Sequence, residues 1–369
     1  MKKEESNLLK FARSLPDCRM DRKKLHLAED IVFITFVAVI CGAETWEDIA
    51  DFGRSKILFL KRFLNLEHGI PSPDTFNRFF ASLNPKVFES LFLSWIKGLC
   101  KYHKGIVAID GKTVRGSRKQ GNKSAIHMVS AFAAANGLVI GQVKTNQKSN
   151  EITAIPELIN VLDIEDCIIT IDAMGCQTKI AEVVIANGAD YILAVKENQK
   201  ELYVNIIDTF RFAETKKLKS HEDVDIGHGR VETRLCTITN NLELLTNAQE
   251  WRNMNTLIKI DRQRYIKSTG KTQKETRYYI SSLNKDAKTI GQAIRSHWGI
   301  ENKLHWQLDV SFGEDKSRKR DRNAAENYSV VLRMALNLIK SENTTKRSVK
   351  GKRLKAGWDD EYLLSLLKF

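Results

Sequence analysis

Apolar residues recur at three- and four-residue spacing through residues 25–41, 46–59, 72–83 and 86–100, so the first hundred residues predict a set of helices. Ser72 followed by Pro73 and Asp74 is a helix start, a hydroxyl cap with proline in the first turn. Beyond Gly105 the period falls from 3.6 to two. Runs at 105–109, 125–135 and 138–144 read as strands, and Asn136-Gly137 between the last two signals a hairpin. Helices and short buried strands then alternate: helix 151–162, strand 167–171, helix 177–187, strand 191–195, helix 197–212. This order predicts an α/β core that opens with an antiparallel meander. Three further strands, 230–239, 255–265 and 276–283, predict a β-rich insertion at about 213–284. Helical pattern returns at 286–295, 300–310 and 324–339.

The longest apolar run, 31–41, is too short to span a bilayer. The first ten residues mix acids with bases and carry no export-type apolar core, so the expected location is the cytoplasm, with no membrane partner. Six cysteines lack CxxC spacing, which argues against a zinc knuckle or a disulfide framework. The formal net charge of +14 points to an anionic partner, nucleic acid first, because clustered Lys and Arg release counterions from phosphate. The run 340–355 is strongly basic and predicts a solvated, mobile tail.

Three stretches carry candidate chemistry. In GIVAIDGKTVRGS (105–117) an apolar strand ends in Asp110 and turns at Gly111 into a basic, hydroxyl-bearing loop. A carboxylate at the end of a buried strand is costly unless it is paired, hydrogen-bonded or bound to a cation. The Gly-Lys-Thr triplet there is not a phosphate loop, since Gly105 is one position too far away and the intervening residues are strand-like. In CIITIDAMGCQTKIAEVVIANGADYILAVKENQ (167–199), Asp172 repeats this setting. If the first and fourth strands are neighbours, the two acids come side by side, and cations between them would favour both ionised forms. Oxygen ligands on a rigid sheet suit Mg2+ or Mn2+.

The third stretch, IRSHWGIENKLHWQLDVSFGEDKSR (294–318), places Glu301, His305 and Asp309 four residues apart, on one helical face. Two strand-end aspartates and a late helical acid suit two-metal phosphoryl chemistry, one ion at the attacking oxygen and one at the leaving oxygen. Lys112, Arg115, Lys196, Lys303 and Arg318 are the basic residues placed to contact phosphates.

These motifs, with DCRMDRKKLHLAEDIVFITFVAVICGAETWEDIADFG and RYYISSL, resemble the H-repeat-associated, ISAs-type insertion-sequence transposases over nearly the whole chain. The resemblance implies a DDE transposase with an RNase H-like catalytic core: an α/β fold with a mixed sheet flanked by helices, a β-rich insertion and an N-terminal helical domain. It implies an N-terminal helical, DNA-binding domain at 1–102, a catalytic domain at 103–345 and a basic tail at 346–369. Asp110, Asp172 and Glu301 are then the catalytic, metal-holding acids, with two ions of Mg2+ or Mn2+. The partners are double-stranded DNA, at element ends and at the target, and a second copy of the chain in the synaptic complex; the location is at the bacterial nucleoid. Related transposases place a tyrosine seven and an arginine four residues before the glutamate and a lysine seven after; this chain has Ile294, His297 and Leu308. Asp309 is the rival third acid. Two other readings use the same residues: a metal-dependent DNA nuclease without strand transfer, and an inactive DNA-binding remnant of a transposase.

Overall fold

The computed structural model describes residues 5–17, 19, 24–99, 105–118, 125–145, 151–227 and 229–368. Nine strands among them form one sheet: β1 Ile106–Thr113, β2 His127–Ala133, β3 Leu138–Thr145, β4 Ile168–Ile171, β5 Asp190–Val195, β6 Lys219–Gly227, β7 Arg230–Thr239, β8 Thr256–Ile266 and β9 Lys271–Ser281. Their order is β3-β2-β1-β4-β5-β9-β8-β7-β6. β1, β4 and β5 run parallel, while β2 is antiparallel to both of its neighbours. A parallel trio with an antiparallel hairpin on its β1 side, flanked by helices, is the mixed RNase H-like sheet that the resemblance implies.

The insertion departs from expectation in its strand count. It has four strands rather than three, and β9 pairs with β5, so the insertion prolongs the core sheet. β6 is exposed along almost its whole length, and in KSHEDVDIG only Val224 and Ile226 are large and apolar, too few for a period-two pattern to register.

The helix Ala28–Ile40 is apolar around its whole circumference because it is enclosed, with helices Asn7–Ser14, Trp46–Ser55 and Pro73–Ser82 and the long helix Ala324–Ser341 packed against it. Ser72 caps Pro73–Ser82 as expected, accepting from the Thr75 N–H. The long helix also packs on Pro85–Leu99 and β3, so the N-terminal helices and the sheet share one core. The expected boundary at 102/103 lies outside the described residues. None of the described helices is long and apolar enough to cross a membrane.

The basic C-terminal segment is not a solvated tail. It forms helices Val349–Trp358 and Asp360–Leu367, which bury Tyr362, Leu363, Leu366 and Leu367. Arg353 is buried as well: Nη2 donates to the Val39 carbonyl at 2.8 Å, Nη1 donates to the Ser311 carbonyl, and the guanidinium lies 4.1 Å from the Phe312 ring centre. Val39 is in the last turn of its helix, where the partial negative charge of the carbonyls attracts cations, and its carbonyl also accepts from the Gly42 N–H at 3.2 Å. Charge counting alone cannot separate a cation that caps a buried helix end from one in water. Arg353→Met should lower unfolding free energy by roughly 1–3 kcal/mol in urea titrations, since it removes the Arg353 bond to the buried Ser311 carbonyl and leaves the Val39 carbonyl to Gly42.

Candidate active site

β1 and β4 are paired in parallel up to Ile109 and Ile171, and the next residue on each strand is an aspartate. Asp110 and Asp172 therefore sit on adjacent strands, about 4.8 Å apart at the backbone, with side chains on one face. Thr170 shares that face and bonds the His297 ring (Oγ1 to Nδ1, 3.0 Å), which fastens helix Ala287–His297 across the strands. Asp172 also shapes its own loop, accepting from the N–H groups of Met174 and Gly175 at 3.0 and 3.3 Å.

β1 does not turn at Gly111, as the sequence suggested, but runs on to Thr113. Glycine is required there because a Cβ would collide with Glu151 and His127. Those two side chains are buried behind the strand, where the His127 ring bridges Glu151 (Nε2 to Oε1, 2.5 Å) and Thr113 (Nδ1 to Oγ1, 2.9 Å). Neither was singled out from the sequence. The signal available was the glycine itself, read as a turn residue rather than as a close-approach residue.

Glu301 opens a π-helical turn, Glu301–His305, between the end of helix Ala287–His297 and the short helix Trp306–Val310. Such wide turns are frequent at functional sites. Glu301 lines a cavity of about 790 Å³ together with Asp110 and Asp172. Asp309 is directed elsewhere, its Oδ1 lying 2.7 Å from the Lys112 ammonium. His305 lies between the two, with Nδ1 3.5 Å from Asp110 Oδ2.

Burial, followed by the charges of Asp172, Glu151 and Glu301, pushes the Asp110 carboxyl up to about 7. His305 does not offset this, because its own burial pulls it down to about 3 and keeps the imidazole neutral. The cavity thus concentrates carboxylates. The acids line one space without forming a closed cage: among the described residues no three His, Cys, Asp or Glu groups converge in metal-ligand geometry.

The five basic candidates are scattered. Lys196 is exposed and lines the acid cavity. Lys303 is exposed and lines a neighbouring cleft that also reaches Glu301. Arg115 projects into solvent beside Asp315. Arg318 faces a separate hollow walled by Trp46, Asp74 and Asn77. Lys112 does not face DNA at all, because it is buried and its ammonium is taken up by Asp309, Asp315 and Glu314. The sequence reading also passed over Asn198 and Gln199, whose side-chain amides donate to the carbonyls of Ala173 and Cys176 and so hold the Asp172 loop.

The family described as "Transposase DDE domain" matches residues 101–338, and its associated N-terminal family, "DDE_Tnp_1-associated", matches residues 9–96. The chain belongs to the DDE transposase family. It is 43% identical over 367 residues to "Putative transposase YncI" of Escherichia coli O157:H7, covering 98% of this chain and 94% of that one. It is 41% identical over 374 residues to "H repeat-associated putative transposase YhhI" of Escherichia coli K12, with 99% and 98% covered. A solved piggyBac transposase synaptic complex with hairpin DNA aligns at TM-score 0.43 and 12% identity, covering 98% of this chain and 76% of that one.

The chain has a second cleft, of about 750 Å³, between the β6–β9 ribbon and helix Ala287–His297. Eight lysines and arginines line it against five acids. Strand periodicity puts Arg234, Arg262, Arg264 and Arg277 on one face, interleaved with Glu232 and Glu275. Arg295 ties the helix to the ribbon through Asp223 and Asp225 at 2.6 and 2.5 Å. Arg277 and Trp298, stacked 4.6 Å apart, line both this cleft and the acid cavity, as does Glu301.

Proposed function

We propose that this chain cuts phosphodiester bonds at the ends of its insertion sequence and joins the freed 3′-hydroxyls to target DNA, with Asp110, Asp172 and Glu301 holding two divalent ions, Mg2+ or Mn2+. The observation that carries the proposal is the placement of Asp110 and Asp172 on neighbouring parallel strands, with Glu301 on the same cavity. The donor set fits the ions: it is all oxygen, it is rich in negative charge, and its histidine neighbour is neutral. Bound there, such ions supply Lewis acidity to the attacking and leaving oxygens.

The protein's own residues fix where that happens. The parallel sheet sets the spacing of the aspartates, and Asn198, Gln199 and the Met174 and Gly175 N–H groups hold the Asp172 loop. Asp110, whose carboxyl feels the charges of both Asp172 and Glu301, would be among the residues holding the ions. Double-stranded DNA is the substrate, led along the arginine-lined cleft toward Glu301, with Lys196 and Lys303 contacting phosphates beside the acids. The helical region 1–102 contributes to end recognition, the region 103–345 carries the chemistry, and two copies of the chain hold two ends together at the nucleoid.

Incubating the purified chain with DNA that carries the element ends, plus a supercoiled target, tests this. Cut and joined products are expected with Mg2+ or Mn2+ and none with EDTA. Cut ends without joined products would replace the proposal with a nuclease. Salt-sensitive DNA binding without metal-dependent products would replace it with a DNA-binding remnant.

A further inference from the structure

Two stretches 200 residues apart in sequence are fastened to each other beside the acids. Asp110 and Lys112 are two apart on β1 and so share a face, and the segment beginning at Glu301 crosses that face. His305 meets Asp110 and, one turn later, Asp309 meets Lys112 at 2.7 Å. Asp315 and Glu314 approach the same ammonium at 3.0 and 3.4 Å. Glu314 is itself gripped by Arg333 and Ser329 of the long helix, at 2.7 and 3.0 Å. Asp315 also accepts from the Arg115 N–H at 3.2 Å, and Arg320 Nε donates to the Gly116 carbonyl at 2.8 Å. Gly116 lies so close to this segment that a Cβ would strike the carbonyl oxygens of Asp315 and Ser317.

We infer that Lys112 is a positioning residue, the pin of a buried ionic clasp that sets the helix carrying Glu301 against the strand carrying Asp110. This rests on the reading of Glu301 as the third acid. Lys112 lines neither the acid cavity nor the arginine cleft, which separates it from the residues proposed to touch DNA. Without its ammonium, Asp309, Glu314 and Asp315 face one another with Arg333 on Glu314 and the solvent-exposed Arg115 beside Asp315 as the cations that remain. Their repulsion would lift residues 309–315 from β1, and Glu301 lies only two turns upstream. A displacement of about 1 Å in a reacting constellation costs on the order of 10²-fold in rate.

The test compares Lys112→Met, Lys112→Arg and Glu301→Gln in the full chain by end-DNA binding without metal, by Mn2+-dependent cleavage and by the Mn2+ concentration giving half-maximal rate. Lys112→Met should bind end DNA within about twofold of the parent, cut about 10²-fold more slowly and need about tenfold more Mn2+. Lys112→Arg, which restores a cation, should recover cleavage to within about tenfold. If Lys112→Met cuts with unchanged rate and metal dependence beside an inactive Glu301→Gln, the inference fails alone. If its DNA binding falls in step with cleavage, Lys112 is a phosphate contact and the inference again fails. Normal cutting by Glu301→Gln would remove the third-acid reading and the inference together. Should Lys112→Met not fold, Asp315→Asn, which removes one of the three carboxylate partners, should still raise the Mn2+ requirement at unchanged end binding; an unchanged requirement overturns the clasp.

Discussion

Asp110→Asn should eliminate metal-dependent cutting and joining, by about 10³-fold or more, and at the same time make the metal-free protein harder to unfold. Both effects follow from the same placement. Asp110 is largely buried among Asp172, Glu151 and Glu301, and its carboxyl is pushed up to about 7. An acid whose folded pKa lies above its unfolded value of about 4 withdraws stability as pH rises from the unfolded value through the folded one, because ionisation then favours the unfolded chain. Asparagine removes that penalty. The stability gained over the parent should therefore be small near pH 4 and reach the order of 2 kcal/mol near pH 8, read by urea unfolding in EDTA. A variant that lost activity without this rising difference would show that Asp110 is not a repelled acid in the resting site.

The second large effect separates two acids eight residues apart. Glu301→Gln should reduce cleavage about as deeply as loss of either aspartate, roughly 10³-fold, whereas Asp309→Asn should reduce it by no more than about tenfold. The reason is what each side chain faces. Glu301 lines the cavity of Asp110 and Asp172, while Asp309 spends its charge on Lys112 at 2.7 Å. Single-turnover cleavage of end DNA at saturating Mn2+ measures both variants on one scale. The reverse ranking would make Asp309 the third acid.

How much of this was legible before any coordinates follows from the range over which each signal acts. Asp110 and Asp172 could be found because a strand-end acid after an apolar run is a local pattern, and strand order then makes the two neighbours. The alternation of helices and strands in the core was local in the same way. Lys112 could not be read correctly, since its partners lie about 200 positions away and an unpaired and a triply paired lysine look alike in sequence. The same limit hid the His127–Glu151 pair behind Gly111 and the burial of Arg353. β6 escaped for another reason: a strand with only two large apolar side chains, Val224 and Ile226, both exposed, carries too short a hydrophobic period to read.

The π-helical turn at Glu301–His305 changes how distances along this segment should be counted. A wide turn takes in one more residue than an α-helical turn over nearly the same rise, so a position eight residues after Glu301 lands where the seventh would stand in an unbroken helix. Asp309 rather than Leu308 therefore takes that helical phase in this chain, and there it meets Lys112 of β1 at 2.7 Å. Without the extra residue, Leu308, whose side chain is fully buried, would stand in that phase, so the wide turn is what lets one segment present Glu301 to the acid cavity and Asp309 to Lys112.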